Sequence, residues 1–194
     1  MIRRNFLKAG MLGTGAVMLA DQAWALKYYP RPSDKKWAVI YGTWCGTARD
    51  AGVWISEGMS GIADVFDARE KPDLHGFDHL VIGGAIRANK MPVELQDFIG
   101  ANQEKIKGKI RGYFAVCGNM GKPVVPQQTK LFIEDHLAAL CGVQDLPAKV
   151  FLGRITKSLM DPDTAARMAS FEDYDNLKRP ECMDFGKEVL AFVV

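Results

Sequence analysis

Between an apolar run ending at Tyr41 and a helical pattern beginning near Thr47 lies the loop Gly42-Thr43-Trp44-Cys45-Gly46-Thr47-Ala48. Hydroxyls, a glycine and free backbone N–H groups at a helix start are the ingredients of a phosphate cradle, because the helix end carries partial positive charge. The loop is neither a G-x-G-x-x-G dinucleotide turn nor a Walker loop; it lacks both the glycine spacing and the lysine. A plain tight turn into a helix accounts for the same residues, and the loop alone leaves both readings open. Two further loops follow apolar runs and carry small or polar residues. One is Ala85-Ile86-Arg87-Ala88-Asn89-Lys90-Met91 and the other is Cys117-Gly118-Asn119-Met120-Gly121-Lys122-Pro123.

Short apolar runs alternating with helical stretches must position these loops. Trp37–Tyr41, Ile62–Phe66, Asp78–Gly84, Lys109–Val116 and Ala148–Gly153 read as five strands. Residues 47–59 place Ala51, Trp54, Ile55 and Met59 at helical spacing. Further helices are expected from Pro92, with the proline in the first turn, over about 127–140, and over about 182–192. The stretch between the fifth strand and the last helix reads as irregular, and Asp161-Pro162-Asp163 within it, an N-cap region or an acidic patch, receives no function. Five strands alternating with helices argue for a parallel sheet with helices on both faces. In such sheets ligands bind at the carboxyl ends of the strands, near the switch in strand order, which is where all three loops fall.

The first loop resembles the phosphate loop of the flavodoxins, a Ser/Thr-x-Thr-Gly-x-Thr pattern. Thr43 matches its first hydroxyl and Gly46 its glycine; Cys45 and Ala48 stand where two threonines are usual, with Thr47 beside them. The stretch Asp78–Arg87 is similar to the Val-Ile-Gly-x-x-Ile-Arg segment of the menaquinone-type protoporphyrinogen oxidases, a quinone-using flavodoxin branch. This resemblance spans about residues 37–192. It implies a flavodoxin-like three-layer sandwich with strand order 2-1-3-4-5, and FMN as cofactor. Its phosphate would sit on Thr43, Gly46 and Thr47 with backbone donors at Trp44, Cys45 and Ala48. Its ring would sit beside Ala85, Ile86, Arg87, Asn89, Cys117, Gly118, Asn119 and Met120. The family commonly sandwiches the ring between aromatics of the second and third loops, and here Ala85–Met91 and Cys117–Lys122 contain none. Arg87 is then either a cation beside the ring, favouring the reduced state and two-electron chemistry, or a member of a surface salt bridge.

Charge and cysteines narrow the partners. The chain has 25 basic and 23 acidic residues; residues 1–25 hold Arg3, Arg4, Lys8 and Asp21, so the remainder is neutral. That excludes the basic footprint of a nucleic-acid binder. It also differs from a strongly acidic shuttle that finds partners by long-range attraction. Cys45, Cys117, Cys141 and Cys182 lack metal-type spacing, and His75, His79 and His136 are isolated, so no zinc or haem site is expected. The thiols are either free and buried or paired in an oxidising compartment.

The chain opens Arg3-Arg4-Asn5-Phe6-Leu7-Lys8, continues with an apolar run from Ala9 to Ala20, and reaches Ala23-Trp24-Ala25. This is the order of an export signal, and the arginine pair is similar to the twin-arginine type, which carries folded proteins. The run is shorter than the ~20 residues that span a bilayer, so no stable membrane anchor is expected. An amphipathic N-terminal helix is the alternative. The organisation is thus a signal over 1–25, a linker over 26–36 and a flavodoxin-like domain over 37–194, acting in the periplasm or otherwise outside the cytoplasm. Folded export carries a bound cofactor along. The expected function is an FMN oxidoreductase passing electrons to a redox partner or a quinone-like acceptor, exported through the twin-arginine machinery. A carrier between proteins, or a binding module that has lost FMN, are the alternatives.

Overall fold

The computed structural model describes residues 33–119 and 122–193. The expected signal, most of the linker and Met120 therefore lie outside the described residues.

The five apolar runs form one parallel sheet: β1 (Trp37–Gly42), β2 (Ala63–Asp67), β3 (His79–Ile86), β4 (Ile110–Cys117) and β5 (Ala148–Leu152), in the order β2-β1-β3-β4-β5. Register is continuous between β1 and β3, with Val39 opposite Val81 and Ile40 opposite Ile82; the β3–β4 pairing shifts between Leu80 and Val81, beyond which Ile82 lies opposite Tyr113. The order reverses at β1 and β3, so the expected fold class and its switch point are both present.

Alternation along the strands divides the core in two. Ala38, Ile40, Leu80, Ile82, Tyr113 and Ala115 point to one face. There they meet α2 (Val93–Ile106) through Leu95, Phe98 and Ile99, and helix α3 (126–141) through Phe132, Ile133 and Leu137. Val39, Tyr41, Val81, Phe114, Val116 and Phe151 point to the other. They meet α1 (Thr47–Gly58) through Ala51 and Ile55, and α5 (Arg179–Val193) through Phe185 and Val189. Both strand faces are thus apolar, as a sheet covered by helices on both sides requires. Each fully buried valine, leucine, isoleucine or phenylalanine among them contributes about 1.5–3 kcal/mol. The middle of α3, Lys130–Ala138, is wound as a π-helix.

The termini of some helices differ from expectation. Pro92 is the N-cap of α2, with ψ 138°, rather than part of its first turn. Helix α5 begins at Arg179, three residues earlier than expected, since Pro180 in a first turn forfeits no intrahelical bond. The stretch read as irregular carries structure of its own: β6 (Arg154–Ile155) pairs antiparallel with β7 (Tyr174–Asp175), and a short helix α4 (Pro162–Arg167) lies between them.

Candidate functional site

The loop after β1 enters α1 through Gly46, which sits in the left-handed region at φ 80°. A side chain is strained in that conformation, and glycine is not. No side chain among the described residues caps this helix, so its first N–H groups are left for an external acceptor. The Thr43 hydroxyl beside them is buried and has no hydrogen-bond partner among the described residues. Thr47 is buried, with its hydroxyl 3.2 Å from the Cys45 sulfur, so it is already engaged. Ala48 is wholly buried in the α1 face of the core, where a threonine hydroxyl would have to be desolvated. Only its backbone is available to a ligand.

Beside this loop a cavity of about 180 Å³ opens at the carboxyl ends of β1, β3, β4 and β5. From the sequence-selected residues it takes Trp44, Cys45, Thr47, Ala85, Ile86, Arg87, Cys117 and Gly118. Thr43, Gly46 and Ala48 belong to the adjoining loop rather than to the cavity wall. Asn89 is exposed at the tip of a tight turn in which Arg87 and Lys90 exchange backbone hydrogen bonds. Asn119 is committed to its own loop: its amide donates to the carbonyls of Lys122 (2.7 Å) and Pro123 (2.9 Å) and accepts from Gln128 (2.8 Å). It folds the loop and is not among the residues lining the cavity.

The opposite wall comes from the stretch after β5, to which the sequence reading gave no role. Gly153, Arg154, Ile155, Met160, Asp161, Thr164 and Met168 all line the cavity. Arg154 is the most consequential of these. One of its Nη2 contacts is Asp50 Oδ2, at 2.6 Å, in the first turn of α1; its Nη1 lies 3.7 Å from Asp175. The same Nη2 is 3.4 Å from where a Cβ on Gly46 would stand, so the guanidinium lies directly over the loop. Tyr174 approaches Gly118 so closely that a Cβ there would come within 2.6 Å of its hydroxyl. A basic residue immediately after the fifth strand was the available signal, since that position shares the carboxyl edge with the three loops.

The four cysteines are free and buried among the described residues. Burial pushes the Cys117 thiol up to about 11, so at neutral pH it is a protonated, weakly nucleophilic group. Burial, followed by the neighbouring Cys117 and Cys45, also raises the Tyr174 hydroxyl. On the cavity's outer side, Asp161 caps α4 by accepting from the Thr164 N–H at 2.9 Å.

The described residues thus form an open parallel α/β domain whose strand-end cleft adjoins a glycine-turned helix start, the place where sheets of this class hold ligands. The family model of the flavodoxin domain matches residues 38–161, and this chain belongs to that family. Oxidised flavodoxin 1 from Bacillus cereus superposes with a TM-score of 0.52 at 15% identity, over 80% of this chain and 97% of that one. The flavodiiron core from Synechocystis sp. PCC6803 gives 0.53 at 13% identity, over 92% of this chain and 41% of that one. At such identities the likeness is one of fold. Comparison with curated proteins yields no match.

Proposed function

We propose that this protein is an exported, FMN-binding oxidoreductase that passes electrons to a quinone-like or other small acceptor. The observation that carries the cofactor is the Thr43 hydroxyl, buried and unpartnered among the described residues beside an uncapped helix start. A buried hydroxyl without a partner costs about 1–3 kcal/mol, which a phosphate oxygen accepting a hydrogen bond from it would recover. The residues of this chain fit the phosphate end of FMN: Thr43, the N–H groups at the start of α1, and Arg154 would hold it.

FMN supplies reversible uptake of one or two electrons at a site whose protein groups orient it and set its surroundings. Arg87 contributes positive charge at the cavity mouth. Cys117, held protonated by burial, adds no charge to the cavity and keeps its wall apolar. Ile86, Ile155, Met160 and Met168 exclude water from the same space. The acceptor class rests on the resemblance of Asp78–Arg87 to the quinone-using branch. Export rests on the order of residues 1–25.

The cavity volume favours a second reading. About 180 Å³ is below the roughly 300–1,000 Å³ usual for ligand sites. A whole FMN would extend past it or displace the covering stretch, whereas a binding module without flavin needs neither. The visible spectrum of the purified protein separates the two. A blue-absorbing chromophore released on denaturation, with one phosphate per flavin, supports the FMN reading. A colourless protein that takes up no FMN on titration supports the module.

A further inference from the structure

Arg154 stands at an electrostatic conflict. The loop before α1 offers hydroxyl and N–H donors to an anion, yet Asp50 lies in the first turn of the same helix. A phosphate monoester carries close to two negative charges at neutral pH, and a carboxylate that near would repel it. The Arg154 guanidinium lies between the two. It is 2.6 Å from Asp50 and 3.4 Å from the Cβ direction of Gly46, and its side chain is only 14% exposed. Its Nε is buried without a partner among the described residues, so a donor remains unspent. The other charges facing the loop are Arg49, which also pairs with Asp50 at 3.1 Å but is largely in solvent, Asp175 at 3.7 Å from Arg154, and Arg87, whose guanidinium lies over the Trp44 ring at the cavity mouth. The cluster of two arginines and two aspartates is neutral. From that cluster a dianion therefore gains net attraction only by drawing Arg154 away from a carboxylate.

We infer that Arg154 is the residue by which this site selects a phosphorylated ligand over its unphosphorylated counterpart. It offsets Asp50 and directs its guanidinium to the phosphate, while Asp50 competes for it and sets the affinity. This rests on the FMN reading for the identity of the ligand, but not for the role of the arginine. Neutral donors at a helix start accept a phosphate from any phosphorylated molecule; a guanidinium adds a charge-assisted and bidentate contact.

The full-length protein, stripped of ligand, is titrated with FMN and with riboflavin as wild type, Arg154→Gln and Asp50→Asn. The ratio of the two affinities is the readout. In Arg154→Gln the preference for FMN should fall by about 10- to 100-fold, the worth of one charge-assisted bond, with riboflavin affinity nearly unchanged. In Asp50→Asn the preference should hold or rise. Equal losses for both flavins in Arg154→Gln would make the arginine a packing residue and overturn the inference. So would a fall in Asp50→Asn as large as that in Arg154→Gln. Thermal unfolding in inorganic phosphate against chloride, at matched ionic strength, isolates the arginine from the cofactor reading. Wild type should be stabilised and Arg154→Gln should not. A protein that takes up no flavin but shows this difference loses the FMN reading and keeps the arginine's role. One that binds FMN with no dependence on Arg154 does the reverse, and one that responds to neither ligand loses both.

Discussion

The guanidinium carbon of Arg87 lies 5.2 Å from the centroid of the Trp44 ring, joining the loop after β3 to the loop after β1 across the cavity mouth. An Nη2 of the same arginine also donates to the Thr164 hydroxyl at 3.4 Å. Arg87 is thus held by a cation–π contact and a long hydrogen bond, and among the described residues no carboxylate pairs with it. Trp44, 40% exposed, is an aromatic of the first loop that lines the cavity. With FMN bound, Arg87→Ala should lower the two-electron potential, because removing a cation raises the cost of added negative charge. At an effective dielectric of about 20 a charge 4–6 Å away is worth roughly 3–4 kcal/mol before screening. Solvent cuts that to some tens of millivolts at about 30 mV per 1.4 kcal/mol. Potentiometric titration measures it, and an unchanged potential would place Arg87 outside the reach of the flavin.

Helices α1 and α5 touch through their backbones. A Cβ on Gly58 would run into the Met183 carbonyl, and one on Gly186 would run into the Ile55 carbonyl. Gly186→Ala should therefore cost at least about 1–3 kcal/mol as overpacking, and lower Tm by roughly 2–4 °C per kcal/mol. Gly100 in α2 provides the contrast, since nothing lies within 4 Å of its added Cβ. Gly100→Ala should raise Tm by up to about 1 kcal/mol worth of stability, from helix propensity alone. Thermal melts of the two variants test the pair. Equal shifts in one direction would remove the close-contact account.

At the far end of the sheet His79 packs on Trp37, ring centroids 4.6 Å apart, with its Nδ1 buried and unpartnered among the described residues. Burial, then the nearby Arg111, holds its pKa below the ordinary 6.5. The unfolded chain thus takes up this proton first as pH falls, binding more protons than the native state. Stability from this group is complete above about pH 6.5 and is lost as pH drops from there toward the native pKa. His79→Gln should flatten that part of the profile, at a fixed cost in packing. Urea midpoints between about pH 7.5 and 5 measure the slope. A slope unchanged by the substitution would assign the acid sensitivity to other groups.

What was legible follows from run length. Five apolar strands of five to eight residues, with α1 after β1, α2 after β3 and α3 after β4, leave few arrangements for the sheet. The loop after β1 was legible because Gly46 and Thr43 must lie at a helix start whatever the ligand. The stretch after β5 was not: β6 and β7 are two residues each and α4 is six, too short to impose a period. They exist because Ile155 pairs with Tyr174 across some twenty residues of chain, a tertiary fact. Arg154 was missed for the same reason, since its partners Asp50 and Asp175 are distant in sequence. Asn119 misled in the opposite sense. A polar residue at a strand end reads as a ligand contact, and only its bonds to Lys122, Pro123 and Gln128 reveal that the loop consumes it.

The export reading is tested in cells. Arg3 and Arg4 precede an apolar run kept mild by Gly10, Gly13 and Gly15, and Ala23-Trp24-Ala25 supplies small residues at the cleavage spacing. The domain that follows buries its apolar strands on both faces, so threading it unfolded across a membrane would expose the whole core and release any ligand held between its loops. A route for folded proteins avoids both costs. Replacing Arg3 and Arg4 together by Lys keeps the charge and removes the arginine pair. The double variant should accumulate inside the cell at precursor length, while the wild type is recovered outside, beginning near Leu26. N-terminal sequencing and fractionation give both readouts. Undiminished export of the lysine variant would sink the twin-arginine assignment, and wild-type protein retained inside at full length would sink export itself.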